Sequence, residues 1–219
     1  MNTLEPLRTL GGLAAALPLP NLDTDQIMPK QFLRGIDKAG LAQGLFHDMR
    51  FDGNGRPRED FVLNRPAFAQ TRILMAGPNF GCGSSREHAV WGLMQAGITA
   101  VVAPSFGEIF YSNALNNRLL AAQVDADAGH RLLQLTDTSV GVQLQIDIAA
   151  RRLRAGDETF DFALSGRHQA MFLQGLDLIG TTLADMDAIR ALSQARARSH
   201  PWLHGLGAKV RQRTLEAAR

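Results

Sequence analysis

Apolar positions in this chain fall into short runs with two periods, and most of the fold can be predicted from where one period gives way to the other. Leu10 to Leu19 is an apolar run broken by Gly11, Gly12 and Pro18 and followed by Pro20, which suits a first strand better than a leader or a membrane span. Arg72 to Ala76 reads as a second strand ending at Gly77. A helical pattern follows from about Ser85 to Ala96 and stops at Gly97, and Ile98 to Ala103 then reads as a buried strand. Strand, helix and strand in that order imply a right-handed crossover, with the functional loop at the carboxyl end of the first strand.

Further on, Val140, Val142, Leu144, Ile146 and Ile148 alternate as a half-buried strand does, and Leu153 to Leu164 reads as a hairpin turning at Gly156-Asp157. Helical patterns at about Arg167 to Gln174, Ala184 to Ala197 and Ala208 to Ala217 complete the chain, with Pro201, Gly205 and Gly207 interrupting the last stretch. The class is α/β: a mixed, partly parallel sheet with flanking helices. Between the first two strands, Arg34 to Arg58 is rich in glycine and charge, which predicts a mobile surface loop.

Length and composition fit this picture. With 219 residues and 45% hydrophobic content the chain can bury a real core in one domain of ordinary size. The expected organisation is a domain over residues 1–198 and a basic tail over 199–219, helical or disordered. Net charge is +2, but after Ala188 seven basic residues (Arg190, Arg196, Arg198, Lys209, Arg211, Arg213 and Arg219) face Glu216 alone, so the body is mildly acidic. The tail lacks the interleaved aromatics of a single-strand platform, which argues against nucleic acid. The absence of a long apolar span points to a cytoplasmic protein. One cysteine excludes an internal disulfide framework, and it cannot alone supply the thiolates of an iron–sulfur cluster.

The candidate chemistry sits at Gly77 to Ala89. Glycines there let the backbone take positive φ and approach a ligand closely, and the following helix offers unpaired N–H groups and the positive end of its dipole, which suits an anion. Ser84 with Glu87, and likewise Ser105 with Glu108, has the spacing of a capping box, so both serines have a structural role open to them. Arg86 opposes the dipole in the first helical turn, and its planar fork matches a carboxylate. The segment has neither the Gly-Lys-Ser/Thr ending of a P-loop nor the spacing of a dinucleotide fingerprint. The expected anion is a small carboxylic acid. Cys82 reads as a packed thiol, and His88 falls one turn after Ser84, where it could act as a base.

The run Asn79-Phe80-Gly81-Cys82-Gly83-Ser84-Ser85-Arg86-Glu87-His88-Ala89 resembles the signature of the mobile, swivelling β/β/α C-terminal domain of the aconitase superfamily. Asn21 to Leu33 resembles the opening motif of one branch, the small subunits of 3-isopropylmalate dehydratase. Phe61-Val62-Leu63-Asn64, Ala103 to Phe110 and Gly175 to Leu183 agree in order, so the similarity covers roughly residues 7 to 190. One departure is Ala121 after Leu119-Leu120, where the family commonly has proline.

The resemblance implies a hydro-lyase subunit of leucine biosynthesis, inert without a large subunit that carries a [4Fe–4S] cluster, with which it forms a heterodimer or heterotetramer. This chain would hold no metal. It implies Ser84 as the catalytic base, Arg86 and Ser85 as substrate contacts, and Arg34 as the second carboxylate clamp with Lys30 as the alternative. Asp23, Thr24, Asp25, Gly81 and Gly83 would shape the loops, and the stretch after the opening motif would read the substrate's side group. The substrate would be a small hydroxy-dicarboxylic acid. Citraconate or 2-methylmalate hydratase, homoaconitase and dimethylmalate dehydratase small subunits share these motifs. A nucleic-acid-binding protein and a dicarboxylate-sensing module are the readings from other classes.

Overall fold

The computed structural model describes residues 5–33 and 40–217. Its body, over residues 5–176, is built on a seven-stranded sheet ordered β4-β3-β2-β1-β5-β6-β7. β1 (Thr9–Leu17), β2 (Thr71–Ala76), β3 (Ala100–Ala103) and β4 (Leu120–Gln123) run parallel, while β5 (Val142–Asp147), β6 (Arg152–Ala155) and β7 (Glu158–Asp161) add an antiparallel meander to the free side of β1. The sheet is thus mixed and partly parallel, as the periodicities predict. The central strands are buried along nearly their whole length, whereas β5 alternates buried and exposed positions and turns one face to water.

Two crossovers step the same way along the sheet. β2 leads through α4 (Glu87–Gln95) to β3, and β3 through α5 (Glu108–Asn116) to β4, so right-handed connection places both helices on one face. Neither β4 nor α6 (Ala126–Thr136) is signalled by the spacing of apolar residues. α6 packs against β1 and β2, and Asp125 caps it by accepting from Ala128 N at 2.7 Å.

Both capping boxes expected from sequence are absent. α4 starts at Glu87 with Arg86 as its N-cap and no side-chain cap, and α5 starts at Glu108 after Gly107, again without one. Ser105 has a tertiary partner instead, accepting from Asn79 N at 2.8 Å.

The glycine-rich stretch before β2 also differs from the loop expected of it. Residues 40–58 contain α2 (Leu41–Gly44), α3 (His47–Arg50) and a tight turn closed by pairing of Phe51 with Pro57. Asp52 accepts from Asn54 N and Arg56 N, while Asn64 Nδ2 donates to the carbonyls of Arg50 and Arg58. These bonds tie down what composition alone leaves free.

After α7 (Gly166–Gln174), residues 177–217 form a second compact unit: α8 (Leu178–Ala184), α9 (Met186–Ser199), a 3₁₀ turn at Pro201–Leu203 and α10 (Leu206–Ala217). Among the described residues no helix is long and apolar enough to cross a membrane.

Candidate active site

The carboxyl ends of β1, β2 and β3 release three loops, over residues 18–23, 77–86 and 104–107, and backbone hydrogen bonds interlock them. Asn21 N donates to Pro78 O at 2.9 Å and Gly81 N to Leu22 O at 2.7 Å; Phe80 N donates to Ser105 O at 3.1 Å and Gly107 N to Phe80 O at 2.9 Å. Asn21 and Asn79 sit at φ 55° and 59° and bond through their side chains at 2.8 Å, a conformation that asparagine tolerates better than most residues. Phe80 is fully buried and meets Phe110 edge-on at 5.2 Å, anchoring the glycine loop to α5.

Gly81 has φ 73°, and a Cβ there would stand 2.3 Å from the Phe110 ring, so conformation and space both require glycine. Gly83, at φ 92°, lets the chain turn above Asp23 and Thr24. The next residues, Ser84 and Ser85, are exposed. With no cap to form, the Ser84 hydroxyl makes no hydrogen bond among the described residues, and the N–H groups of Gly83, Ser84 and Ser85 donate to nothing there. The Gly81 N–H is committed to Leu22, so any donors for an anion at Ser84 come from the later part of the loop. Free N–H donors in the same turn can lower the cost of removing the hydroxyl proton.

The opening motif forms the other wall. Asp23 caps the single turn α1 (Thr24–Ile27) in a capping box with Gln26, and it pairs across to Cys82. Thr24, 2% exposed, donates its N–H to Cys82 O and its hydroxyl to Ser84 O, each at 2.9 Å. Asp25 forms an ion pair with Arg86, whose side chain is 13% exposed against 43% for Asp25. Arg86 is therefore largely shielded and held beside Ser84 by an internal carboxylate.

The fork retains further donors, so a ligand carboxylate can share it or displace Asp25. Replacing Thr24 by valine keeps the shape and removes the bond to Ser84. A loss of about 1 kcal/mol is expected in denaturant unfolding, with a fall in activity larger than stability explains.

The remaining expected contacts are spread more widely. Ser85 is adjacent and exposed. Lys30 is exposed on a 3₁₀ turn (Lys30–Phe32), and its side chain makes no ion pair or hydrogen bond among the described residues; Arg34 lies outside them. His88 packs against Trp91 with ring centroids 4.9 Å apart and the planes tilted by 58°, and Cys82 Sγ lies 3.4 Å from Asn21 O, so neither is set up as a nucleophile or base for the loop. The Asp25–Arg86 pair and the Thr24–Ser84 bond are what sequence reasoning missed. Their only signal was the presence of two polar motifs about 60 residues apart.

An aromatic series continues outward from the loop, with Phe106 at 5.8 Å from Tyr111 and Tyr111 edge-on to His168 at 6.2 Å. Burial raises the Tyr111 hydroxyl, and burial with the neighbouring Arg167 charge holds His168 below its ordinary value, which leaves both neutral at pH 7.

An iron–sulfur cluster needs several thiolates. The sequence has one cysteine, and among the described residues no group of three or more potential ligand side chains comes together. This chain's own residues do not fit such a cluster.

The profile of the family described as the aconitase C-terminal domain matches residues 4–127. The 3-isopropylmalate dehydratase small subunit 1 of Chromobacterium violaceum is 58% identical over 203 residues, covering 92% of this chain and 95% of that protein. The small subunit of Phenylobacterium zucineum is 44% identical, covering 92% and 100%. Among solved structures, the 3-isopropylmalate dehydratase of Methanocaldococcus jannaschii superposes with a TM-score of 0.59 at 28% identity, over 84% of this chain and 99% of that one. Motifs, sheet order and relatives agree: the chain belongs to the 3-isopropylmalate dehydratase small-subunit family, within the aconitase C-terminal domain family.

Proposed function

We propose that this chain is the small subunit of a 3-isopropylmalate dehydratase, interconverting 2- and 3-isopropylmalate by dehydration and rehydration in leucine biosynthesis. The observation that carries this reading is the uncommitted Ser84 hydroxyl, exposed on a rigid loop beside Arg86 and freed of any helix-capping role. Ser84 acts as an alkoxide, its charge stabilised by the N–H groups of residues 83–85, and its Oγ takes the proton from the carbon next to the one that bears the departing hydroxyl, becoming a neutral hydroxyl itself. Arg86 grips a substrate carboxylate, with Ser85 beside it. Lys30, in the short turn at the end of the opening motif, and Arg34, the residue after that motif in sequence, are the candidates for the second carboxylate.

Expelling hydroxide needs an electrophile that this chain lacks. That role is assigned to a [4Fe–4S] cluster on a large partner subunit, which would close over the exposed serines in a heterodimer or heterotetramer in the cytoplasm. The test is anaerobic mixing with a 3-isopropylmalate dehydratase large subunit while following isopropylmaleate by absorbance, with citraconate, homocitrate and dimethylmalate as competing substrates. No turnover is expected from the chain alone, and turnover of 3-isopropylmalate above the others once mixed. Full activity without the partner, or none with any large subunit, would overturn the assignment.

A further inference from the structure

The same end of the sheet carries a second concavity that the proposed reaction does not use. It has a volume of about 230 Å³ and opens where β1 leaves the sheet, between the 3₁₀ turns at Val62–Asn64 and Pro66–Phe68 and the last turn of α6. At about 30 Å³ per water-sized group, it holds a molecule of roughly eight non-hydrogen atoms.

Its lining divides by chemistry. Leu17, Met49, Phe61 and Val62 make an apolar wall, while Asp60, Arg65, Asp137 and Thr138 supply polar groups. Arg65 spends one Nη2 bond on Asp60 O, at 2.9 Å, and keeps its other donors. The carboxylates of Asp60 and Asp137 make no hydrogen bond or ion pair among the described residues, and Asp137 stands at the C-terminal, negative end of the eleven-residue α6.

Two carboxylates and a helix C-terminus against one guanidinium repel a simple anion. A simple cation would leave Arg65 unanswered, and a fully polar ligand would waste the apolar wall. We propose that this groove binds a small aliphatic α-amino acid, its ammonium at Asp137 and Asp60, its carboxylate at Arg65 and its hydrocarbon side chain against Leu17, Met49, Phe61 and Val62. Because Leu17 leads through Pro18 and Leu19 to the Asn21–Asp25 wall, and Leu19 O lies against Gly77, the occupant braces the strand exit from which the reaction loops hang. The site is thus placed to regulate, whichever substrate the loops act on.

Calorimetric titration of the full chain with L-leucine tests this, with 4-methylpentanoate (no ammonium), 3-methylbutylamine (no carboxylate) and glycine (no side chain) as comparisons. Leucine is expected to bind saturably with Kd below about 1 mM, and each comparison at least about tenfold more weakly. Arg65→Gln and Asp137→Asn should each weaken leucine about tenfold without changing the circular dichroism or melting of the chain. A groove that holds only water would give no saturable heat, 4-methylpentanoate would match leucine if the zwitterion reading is wrong, and the variants would bind like the parent if the site is elsewhere; each of these results overturns the proposal. Since the readout is binding, it stands or falls separately from the dehydratase assignment.

Discussion

Ser84→Ala is expected to lower kcat/KM of the reconstituted enzyme by about 10²–10⁴-fold, the usual contribution of a positioned general base. The chain itself should keep its stability to within about 0.5 kcal/mol, as an exposed surface change does. These two numbers are informative together. Had Ser84 capped α4, its loss would also cost about 0.5–2 kcal/mol of folding stability, and a weakened enzyme would be hard to tell from a damaged one. The helix instead begins at Glu87 with Arg86 as its N-cap and no side-chain cap, so the hydroxyl is not engaged in holding the fold. The measurement pairs steady-state kinetics with denaturant melts. A variant that stays active, or one that loses activity only in proportion to stability, would remove Ser84 from the chemistry. Ser85→Ala, changing a neighbouring hydroxyl on the same exposed turn, should reduce activity far less.

How far the sequence disclosed this arrangement depends on whether the deciding contacts were local. β2 and β3 are runs bounded by glycine or by a helix stop, and the β6–β7 hairpin turns at Gly156, φ 59°, where a positive φ is needed; such features are written in adjacent residues. β4 is not, because Leu120, Ala121 and Ala122 are buried on both faces and carry no alternation to tell a strand from a stretch of helix. The serines at 84 and 105 show the opposite failure. Each has a local capping signature, but Ser105 Oγ is claimed by the distant Asn79 N, and the Ser84 segment is held through its backbone carbonyl by Thr24 with the hydroxyl left free. Tertiary bonds overrode the local motif. For the same reason the loop with Ser84 and Arg86 could be picked out, yet the pairing of Arg86 with Asp25 could not: it joins residues 61 apart through the adjacency of β1 and β2.

Gly107→Ala is expected to damage the site strongly. Its φ is −61°, so alanine meets no backbone strain, and the effect is purely one of space. A Cβ at this position would stand 2.5 Å from Gly81 O and 2.8 Å from the Cys82 Cα. Those are backbone atoms of the glycine loop, which Leu22, Thr24 and Ser105 hold from the other sides, so no flexible side chain can yield. Forcing a methyl group into such a contact costs about 1–3 kcal/mol, to be read as a lower denaturation midpoint with an unchanged slope.

The functional loss should exceed the structural one, because relief comes only by pushing the loop that carries Ser84 away from α5, and a displacement near 1 Å at a reacting group can cost about 10²-fold in rate. Gly97→Ala supplies the comparison: it takes a residue at φ 89° with nothing within 4 Å of its Cβ, so it bears backbone strain of about 1–2 kcal/mol without touching the loop. If the two variants lost similar stability but only Gly107→Ala lost the additional activity, the close approach of α5 would be fixing the position of Ser84. Equal activity in both would mean that the loop keeps its catalytic geometry without that contact.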